Sequence, residues 1–270
     1  MCRECGCSVT YHDVHVHGHN GNASAKPVNS ASIEVLRHIL HDNDREAAHN
    51  REHLAGHGIL AVNLMSAPGS GKTSLLEASI DALGDKYRIA VIEGDLETEN
   101  DADRIRAKGV PAVQITTGLT CHLDAHMVHD ALHALDLSEV DILFIENVGN
   151  LVCPAGFDLG QHANVTLLAV TEGDDKPAKY PVMFRAADLV LLSKSDLLDV
   201  LDDFAPEKAE RYIRALANRV DVLQISARRR ETLAPWLAWL EARLADVRSH
   251  AAHHVHGGHA HHRHHHHAAE

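Results

Sequence analysis

The sequence predicts a three-layer α/β sandwich built on a mostly parallel sheet, and three observations carry that prediction. An apolar run, Ile59 to Met65, leads into the glycine loop Ser66-Ala67-Pro68-Gly69-Ser70-Gly71-Lys72-Thr73, and a helical pattern begins near Ser74. Further short apolar runs alternate with helical patterns along the chain, as strands joined by crossover helices do. Polar, acidic or glycine-containing segments follow these runs, at the strand ends where open parallel sheets bind their ligands. This combination points to a P-loop NTPase domain, with polar extensions on either side.

Composition sets the limits. At 270 residues the chain suits one sizeable domain, taken as residues 30–248, between an amino-terminal arm at 1–29 and a tail at 249–270. The formal net charge of -13 argues against a nucleic-acid surface. No segment resembles a secretory signal, and no apolar run approaches the roughly 18 residues of a membrane span, so a cytoplasmic protein is expected. In that reducing compartment the 5 cysteines suit metal or thiol chemistry better than disulfides. Histidine is the compositional anomaly, with 25 residues.

Cys2, Cys5 and Cys7 stand close enough for three thiolates, with the terminal amine, to surround one ion: square-planar Ni²⁺ or tetrahedral Zn²⁺. His12, His15, His17 and His19 follow among glycine, asparagine and serine, which reads as a flexible metal-collecting arm. From Ser30 the spacing of Ile33, Leu36, Ile39 and Leu40 predicts a helix, and a second segment is expected from Asp44 to His57. Its histidines are expected to be mostly solvated.

In the glycine loop the backbone N–H groups converge on phosphate oxygens, Lys72 reaches the outer phosphates and the Thr73 hydroxyl holds Mg²⁺. Gly69, Ser70, Gly71, Lys72, Thr73 and Ser74 form the predicted phosphate-binding set, with Ser66 in place of the usual first glycine. The second strand, Arg88 to Ile92, ends at Glu93-Gly94-Asp95. Asp95 is the candidate there to hold Mg²⁺ through water or to orient the attacking water, its alternative being a cap for a helix from Asp101 to Lys108.

The third strand, Ala112 to Thr116, leads to Cys121-His122, placed at the start of a helix carrying His126, His129 and His133. These four histidines fall along one helical stripe, the last three expected to be solvated. The apolar fourth strand, Asp141 to Ile145, is followed by Glu146, a Mg²⁺ candidate, and by Gly149, whose N–H can meet the terminal phosphate. Cys153 lies four residues further on, so a phosphate-sensing segment carries a thiol. With Cys121 and His122 at a neighbouring strand exit it makes an incomplete coordination set, to be finished by a second copy, water or a client protein.

The fifth strand, Val165 to Thr171, and the sixth, Leu189 to Leu192, lead to Ser193-Lys194-Ser195-Asp196. Asp196 can accept both N1–H and the exocyclic amine of guanine while the Lys194 stem stacks on the base, so GTP is the predicted nucleotide. A helix from Pro206 to Ala217 and a strand from Val222 to Ile225 precede Ser226 and Ala227, placed to offer backbone contact to the base; Arg228, Arg229 and Arg230 adjoin them.

The motifs Cys2-x-x-Cys5-Gly6-Cys7, Asn63-Leu64-Met65-Ser66, Cys121-His122-Leu123-Asp124-Ala125 and Glu146 through Pro154 resemble those of the HypB nickel-insertion GTPases of NiFe-hydrogenase maturation, within the SIMIBI class. The segment Thr171 to Pro177 is likewise similar, and the agreement spans Ile33 to about Val247. The resemblance implies a high-affinity nickel site at the first three cysteines, and a second nickel or zinc site at Cys121, His122 and Cys153. It also implies nucleotide-linked dimerisation and partnership with a HypA-type accessory protein and the hydrogenase large-subunit precursor. Two positions depart from the family pattern: Ser193 replaces an asparagine that braces the phosphate loop, and Gln161 stands where an acidic residue is common.

The tail from His250 to His267 holds 11 histidines in interrupted runs, which reads as a native metal-storage tail. The expected function is therefore slow, positioning-driven GTP hydrolysis that times nickel transfer, with Lys72, Asp95 and Glu146 as the catalytic set. A urease-type accessory GTPase and a nickel storage protein with a structural nucleotide are the competing readings.

Overall fold

The structure, a computed structural model, describes residues 30–118, 120–216 and 219–257. Cys2, Cys5, Cys7, the amino-terminal histidines and the tail beyond residue 257 lie outside the described residues. The chain runs α1 (Ser30–Gly56), β1 (Leu60–Ser66), α2 (Lys72–Leu83), β2 (Ile89–Asp95), α3 (Asn100–Arg106), β3 (Ala112–Thr116), α4 (Ala125–Leu132), β4 (Ile142–Glu146) and β5 (Ala163–Ala169). It continues through α5 (Lys176–Lys179), α6 (Pro181–Ala186), β6 (Leu189–Ser193), α7 (Pro206–Ala215), β7 (Asp221–Gln224) and α8 (Ala234–Gly257).

The strands form one sheet in the order β3-β2-β4-β1-β5-β6-β7, and each neighbouring pair is parallel. Alternation along the central strands divides the core. Leu60, Val62, Leu64, Ile142 and Phe144 face one side, where they meet Leu75 and Leu76 of α2 and Trp236 and Leu240 of α8. Ala61, Leu143 and Ile145 face the other, against Leu54 of α1 and Val128 of α4. Further along that second face, Leu168, Val190 and Leu192 pack on Met183 and Phe184 of α6 and on Ala209 and Ile213 of α7. With apolar residues on both faces the central strands are buried throughout, as helix-covered parallel strands must be.

Three details differ from the sequence reading. The two amino-terminal helical segments are one helix, because no glycine or proline occurs between Ser30 and Gly56 to break it. β2 extends to Asp95, so Glu93 lies within the strand and its side chain is buried. α8 has no counterpart among the predicted elements, although Trp236, Leu240 and Leu244 recur at helical spacing; its backbone runs into the histidine-rich segment as far as Gly257.

α1 is held to the body by the loop before β5. Arg51 grips the Asp158 carboxylate with two 2.7 Å hydrogen bonds, and a Cβ on Gly160 would lie 2.5 Å from that of Asn50. Gly160 also has a φ of +90°, so glycine is required there on both counts. Gln161 has a structural part in this loop: its side-chain oxygen accepts from the Leu159 N–H and its amide donates to Asn164.

The next residue makes the junction acid-sensitive. The Ala61 N–H donates to His162 Nδ1 at 3.1 Å, which requires an unprotonated nitrogen. Burial, helped by the Arg51 charge, lowers the His162 pKa from 6.5 to about 4. The unfolded chain therefore takes up a proton near pH 6.5 that the folded chain refuses until about pH 4. Stability contributed by neutral His162 is complete above pH 6.5 and is lost as pH falls, at up to roughly 1.4 kcal/mol per unit. Urea unfolding at pH 6.5 and 5.0 is expected to show up to ~2 kcal/mol of loss from this group, and His162→Gln should remove that increment.

Candidate nucleotide and metal site

The glycine loop closes β1 onto α2. Gly69 and Gly71 have φ of +74° and +93°, the left-handed region that glycine enters without a Cβ penalty. α2 starts at Lys72, so its first N–H groups point into the loop, where they are suited to an anion. The Ser70 hydroxyl lies between the Ala67 carbonyl oxygen at 2.8 Å and the Glu172 carboxylate at 2.5 Å, tying the loop to the segment after β5. Gly149 passes so close that a Cβ there would meet Pro68 Cα at 2.9 Å. A cleft of about 450 Å³ opens between Pro68, Lys72, Thr73, Glu93, Glu146 and Gly149.

Acidic groups line the floor of this cleft. The Thr73 hydroxyl donates to Glu146 Oε1 at 3.0 Å, and Lys72 Nζ lies 3.8 Å from the same oxygen and 3.2 Å from Ser66 Oγ. Glu93, Asp101 and Glu146 each place one carboxylate oxygen within 4.8 Å of the others. Burial pushes the Glu93 carboxyl strongly up, reinforced by the Glu146 charge; burial pushes Glu146 up as well, opposed by Lys72. Of the two, Glu93 therefore takes a proton more readily, and Glu146 is balanced by the lysine. Glu93 Oε2 and Glu146 Oε2 are buried without a hydrogen-bond partner. Orphaned carboxylate oxygens beside a threonine hydroxyl fit a hard divalent cation such as Mg²⁺, which takes oxygen ligands.

Asp95 is placed differently. Its carboxylate accepts from the Leu96 N–H and, at 2.9 Å, from the Thr98 hydroxyl, so it shapes the turn after β2 at the rim of the cleft. Glu93, two residues earlier, is the acidic side chain that β2 directs to Glu146. Residues two apart on a strand share a face, so the sequence leaves Glu93 and Asp95 equivalent, and the β2–β4 register, which pairs Glu93 with Glu146, decides between them.

At the same amino-terminal end of α2, a cavity of about 240 Å³ is lined by Gly71, Ser74, Lys194, Asp196, Ser226 and Ala227. Gly71, Ser74 and Lys194 line both spaces, which therefore adjoin. Lys194 has a φ of +58°, unusual for a side chain with a Cβ, and its Nζ donates to the Gly69 carbonyl oxygen at 2.7 Å. Asp196 accepts from the Ser226 hydroxyl at 2.6 Å. The Ser226 N–H is engaged by Thr232 Oγ1 at 2.8 Å, and Ala227, the other residue of that pair, lines the cavity. Arg229 and Arg230 turn to Asp199 and Asp81, while Arg228 lines the cavity.

Cys121, His122 and Cys153 come together beside the phosphate cleft. Their ligand atoms all lie within 4.8 Å of one another, with the two sulfurs 3.0 Å apart and outside disulfide-bonding distance. Cys121 and His122 occupy the turn before α4; the helix proper starts after Asp124, whose carboxylate caps it at the Met127 N–H. His122 is therefore not the head of a helical stripe: it stacks on Phe157 with ring centroids 3.9 Å apart. Burial lowers its pKa, which keeps a nitrogen lone pair available for a metal. The trio is joined to the phosphate side by amides. Asn147 Oδ1 accepts from the Leu123 N–H at 3.2 Å, Asn150 Nδ2 donates to the Cys121 carbonyl oxygen at 3.4 Å, and Leu123 packs on Gly94 of β2.

Residues 60–224 match the family CobW/HypB/UreG, nucleotide-binding domain. A hydrogenase maturation factor HypB of Azotobacter vinelandii is 55% identical over 212 residues, which cover 78% of this chain and 70% of the relative. The chain belongs to the HypB hydrogenase maturation factors. The HypB of Escherichia coli K12 is 49% identical over 232 residues, 86% of this chain and 80% of that protein. The crystal structure of HypB from Helicobacter pylori in complex with nickel superimposes with a TM-score of 0.73 at 42% identity, covering 76% of this chain and 96% of that one. Against the HypB pattern, Ser193 proves a working substitute: its hydroxyl donates to the Ser70 carbonyl oxygen at 2.7 Å, so the brace on the phosphate loop is kept through a shorter side chain. No helix among the described residues is long and apolar enough to cross a membrane.

Proposed function

We propose that this chain is a cytoplasmic, GTP-hydrolysing nickel metallochaperone that delivers Ni²⁺ to the large-subunit precursor of NiFe-hydrogenase. It works with a HypA-type accessory protein and as a GTP-linked homodimer, and its histidine-rich segments at 1–29 and 249–270 store metal. The observation that supports this reading is one continuous segment, Glu146 to Cys153. It touches the phosphate loop at Gly149, reaches the Cys121 turn through Asn147 and Asn150, and ends on a thiol of the metal trio.

In this reading the loop N–H groups and Lys72 hold the β- and γ-phosphates of GTP, and Asp196, Lys194 and Ala227 recognise guanine. Lys72 then exchanges Glu146 for phosphate, and Glu146 and the Thr73 hydroxyl, with Glu93 beside them, would hold Mg²⁺. When bound, Mg²⁺ neutralises charge developing on the phosphate oxygens. Asp95, at the rim, orients the attacking water. Among the described residues no strong base faces the cleft, so turnover is slow and rests on positioning and electrostatics. Departure of the terminal phosphate removes the group that Gly149 meets, the Glu146 to Cys153 segment relaxes, and the trio loosens its Ni²⁺ or Zn²⁺.

The test is Ni²⁺ and Zn²⁺ affinity measured with GDP and with a non-hydrolysable GTP analogue, together with oligomeric state. Coupling predicts affinities that differ by about 5-fold or more and a shift toward dimer with the analogue. Equal affinities and an unchanged oligomeric state would sink it.

A further inference from the structure

α1 and α4 pack side by side on the sheet face opposite α2 and α8, and the seam between them is rich in imidazoles. Amides fix this packing. Asn43 Oδ1 accepts from the Ala125 N–H at 2.9 Å, and Asn50 Nδ2 donates to the carbonyl oxygens of Ala125 at 2.8 Å and Leu159 at 3.2 Å. With its amino group so engaged, Asn50 turns Oδ1 to His129 Nδ1 at 3.1 Å. Glu46 Oε1 stands 3.2 Å from the same nitrogen.

Both neighbours are acceptors, so the His129 proton sits on Nδ1 and the Nε2 lone pair points away. A histidine held by an oxygen at one nitrogen and presenting the other is the arrangement found around metal ions. Nε2 of His129 faces Nε2 of His133, one helical turn on, at 3.0 Å. Adjacent imidazole ligands at metal–nitrogen distances of about 2.0–2.1 Å have nitrogens about 2.9–3.4 Å apart. His49 stands beside His129 with ring centroids 5.2 Å apart, and Glu46, His49 and His129 each offer a ligand atom within 4.8 Å of the others, a group that does not include His133. His126 Nδ1 lies 3.7 Å from Glu46 Oε2. His53 and His57 continue the row, their rings 5.1 Å apart.

We infer that the α1–α4 seam is a further divalent-cation site, apart from the cysteine trio, in which His129 Nε2 and His133 Nε2 bind a borderline ion such as Zn²⁺ or Ni²⁺ while Glu46 and Asn50 of α1 hold the opposite nitrogen of His129. Nitrogen and oxygen donors without thiolate make it a weaker, faster-exchanging site than the trio. Because α4 follows directly from the Cys121-His122 turn, an ion in the seam pins the helix on which that turn depends.

Backbone hydrogen exchange of the full chain, with Zn²⁺ as the probe, tests this peptide by peptide. At free Zn²⁺ ten times the dissociation constant, exchange governed by local opening across residues 46–57 and 125–133 should slow about tenfold. The slowing should persist in the Cys121→Ser/Cys153→Ser variant and disappear in His133→Gln, which alters an exposed side chain at the end of α4 and leaves the helix packing intact. Slowing that survives His133→Gln, slowing that vanishes with the cysteines, or no slowing at all would overturn the assignment.

Discussion

Lys72→Ala is expected to lower single-turnover GTP hydrolysis by about 10²–10³-fold, the loss that follows removal of one preorganised charge donor from a buried transition-state site. Lys72 is only 7% exposed, within reach of Glu146 and Ser66, so its ammonium is already desolvated and aimed into the cleft. Alanine would leave the phosphates without this charge and Glu146 without its counter-ion. Glu146 would then hold a proton more readily, which weakens its use as a cation ligand and compounds the loss. The measurement is a single-turnover time course with excess protein, alongside total Ni²⁺ bound per chain. A chaperone timed by GTP predicts that hydrolysis collapses while metal capacity stays. A storage protein with a structural nucleotide predicts little turnover in either form.

Cys121→Ser should abolish metal-dependent protection of Cys153 against alkylation, read site by site by mass spectrometry. The two sulfurs are 3.0 Å apart and His122 is packed against Phe157, so the trio has little room to recruit a substitute ligand. Losing a supporting residue around a metal costs about 10–100-fold in affinity, and losing a thiolate ligand should exceed that. Protection of Cys2, Cys5 and Cys7 should be unchanged, which separates the two thiol sites in one experiment. Cys153 protected equally in wild type and variant would remove the trio from the metal pathway.

The two experiments probe opposite ends of one segment. Glu146 meets Lys72 and Thr73, and Cys153 meets Cys121, with seven residues from one to the other. The connection is short, touches the phosphate loop at Gly149 and is buried at both ends, with Val152 exposed between them; the proposed coupling predicts that the two ends move together.

Local signals were enough for much of this. The glycine loop between an apolar strand and a helix declared the nucleotide end, since left-handed glycines before a lysine have few structural uses. The alternation of apolar runs and helical patterns declared the parallel sheet, and every strand but the boundaries of a few was placed. The Cys121-His122 and Cys153 trio was legible only as two strand exits expected to be neighbours, but β2 lies between β3 and β4 in the sheet; the segment after β3 reaches across the end of β2, where Leu123 packs on Gly94, to bring Cys121 and His122 to Cys153.

What the sequence by itself determined was the chemistry available: a phosphate loop, an aspartate suited to guanine, thiols in two places and an excess of imidazole. The tertiary structure decided which of these groups meet. It set Glu93 rather than Asp95 against Glu146: the two share a strand face, and the β2–β4 register places Glu93 beside Glu146. It took His122 off the helix and put His129 and His133 in a seam with Glu46 and His49 of α1, a contact between residues some 80 positions apart that no local period encodes. Spacing along a chain reports which side chains share a face; only the packing of faces reports what stands opposite.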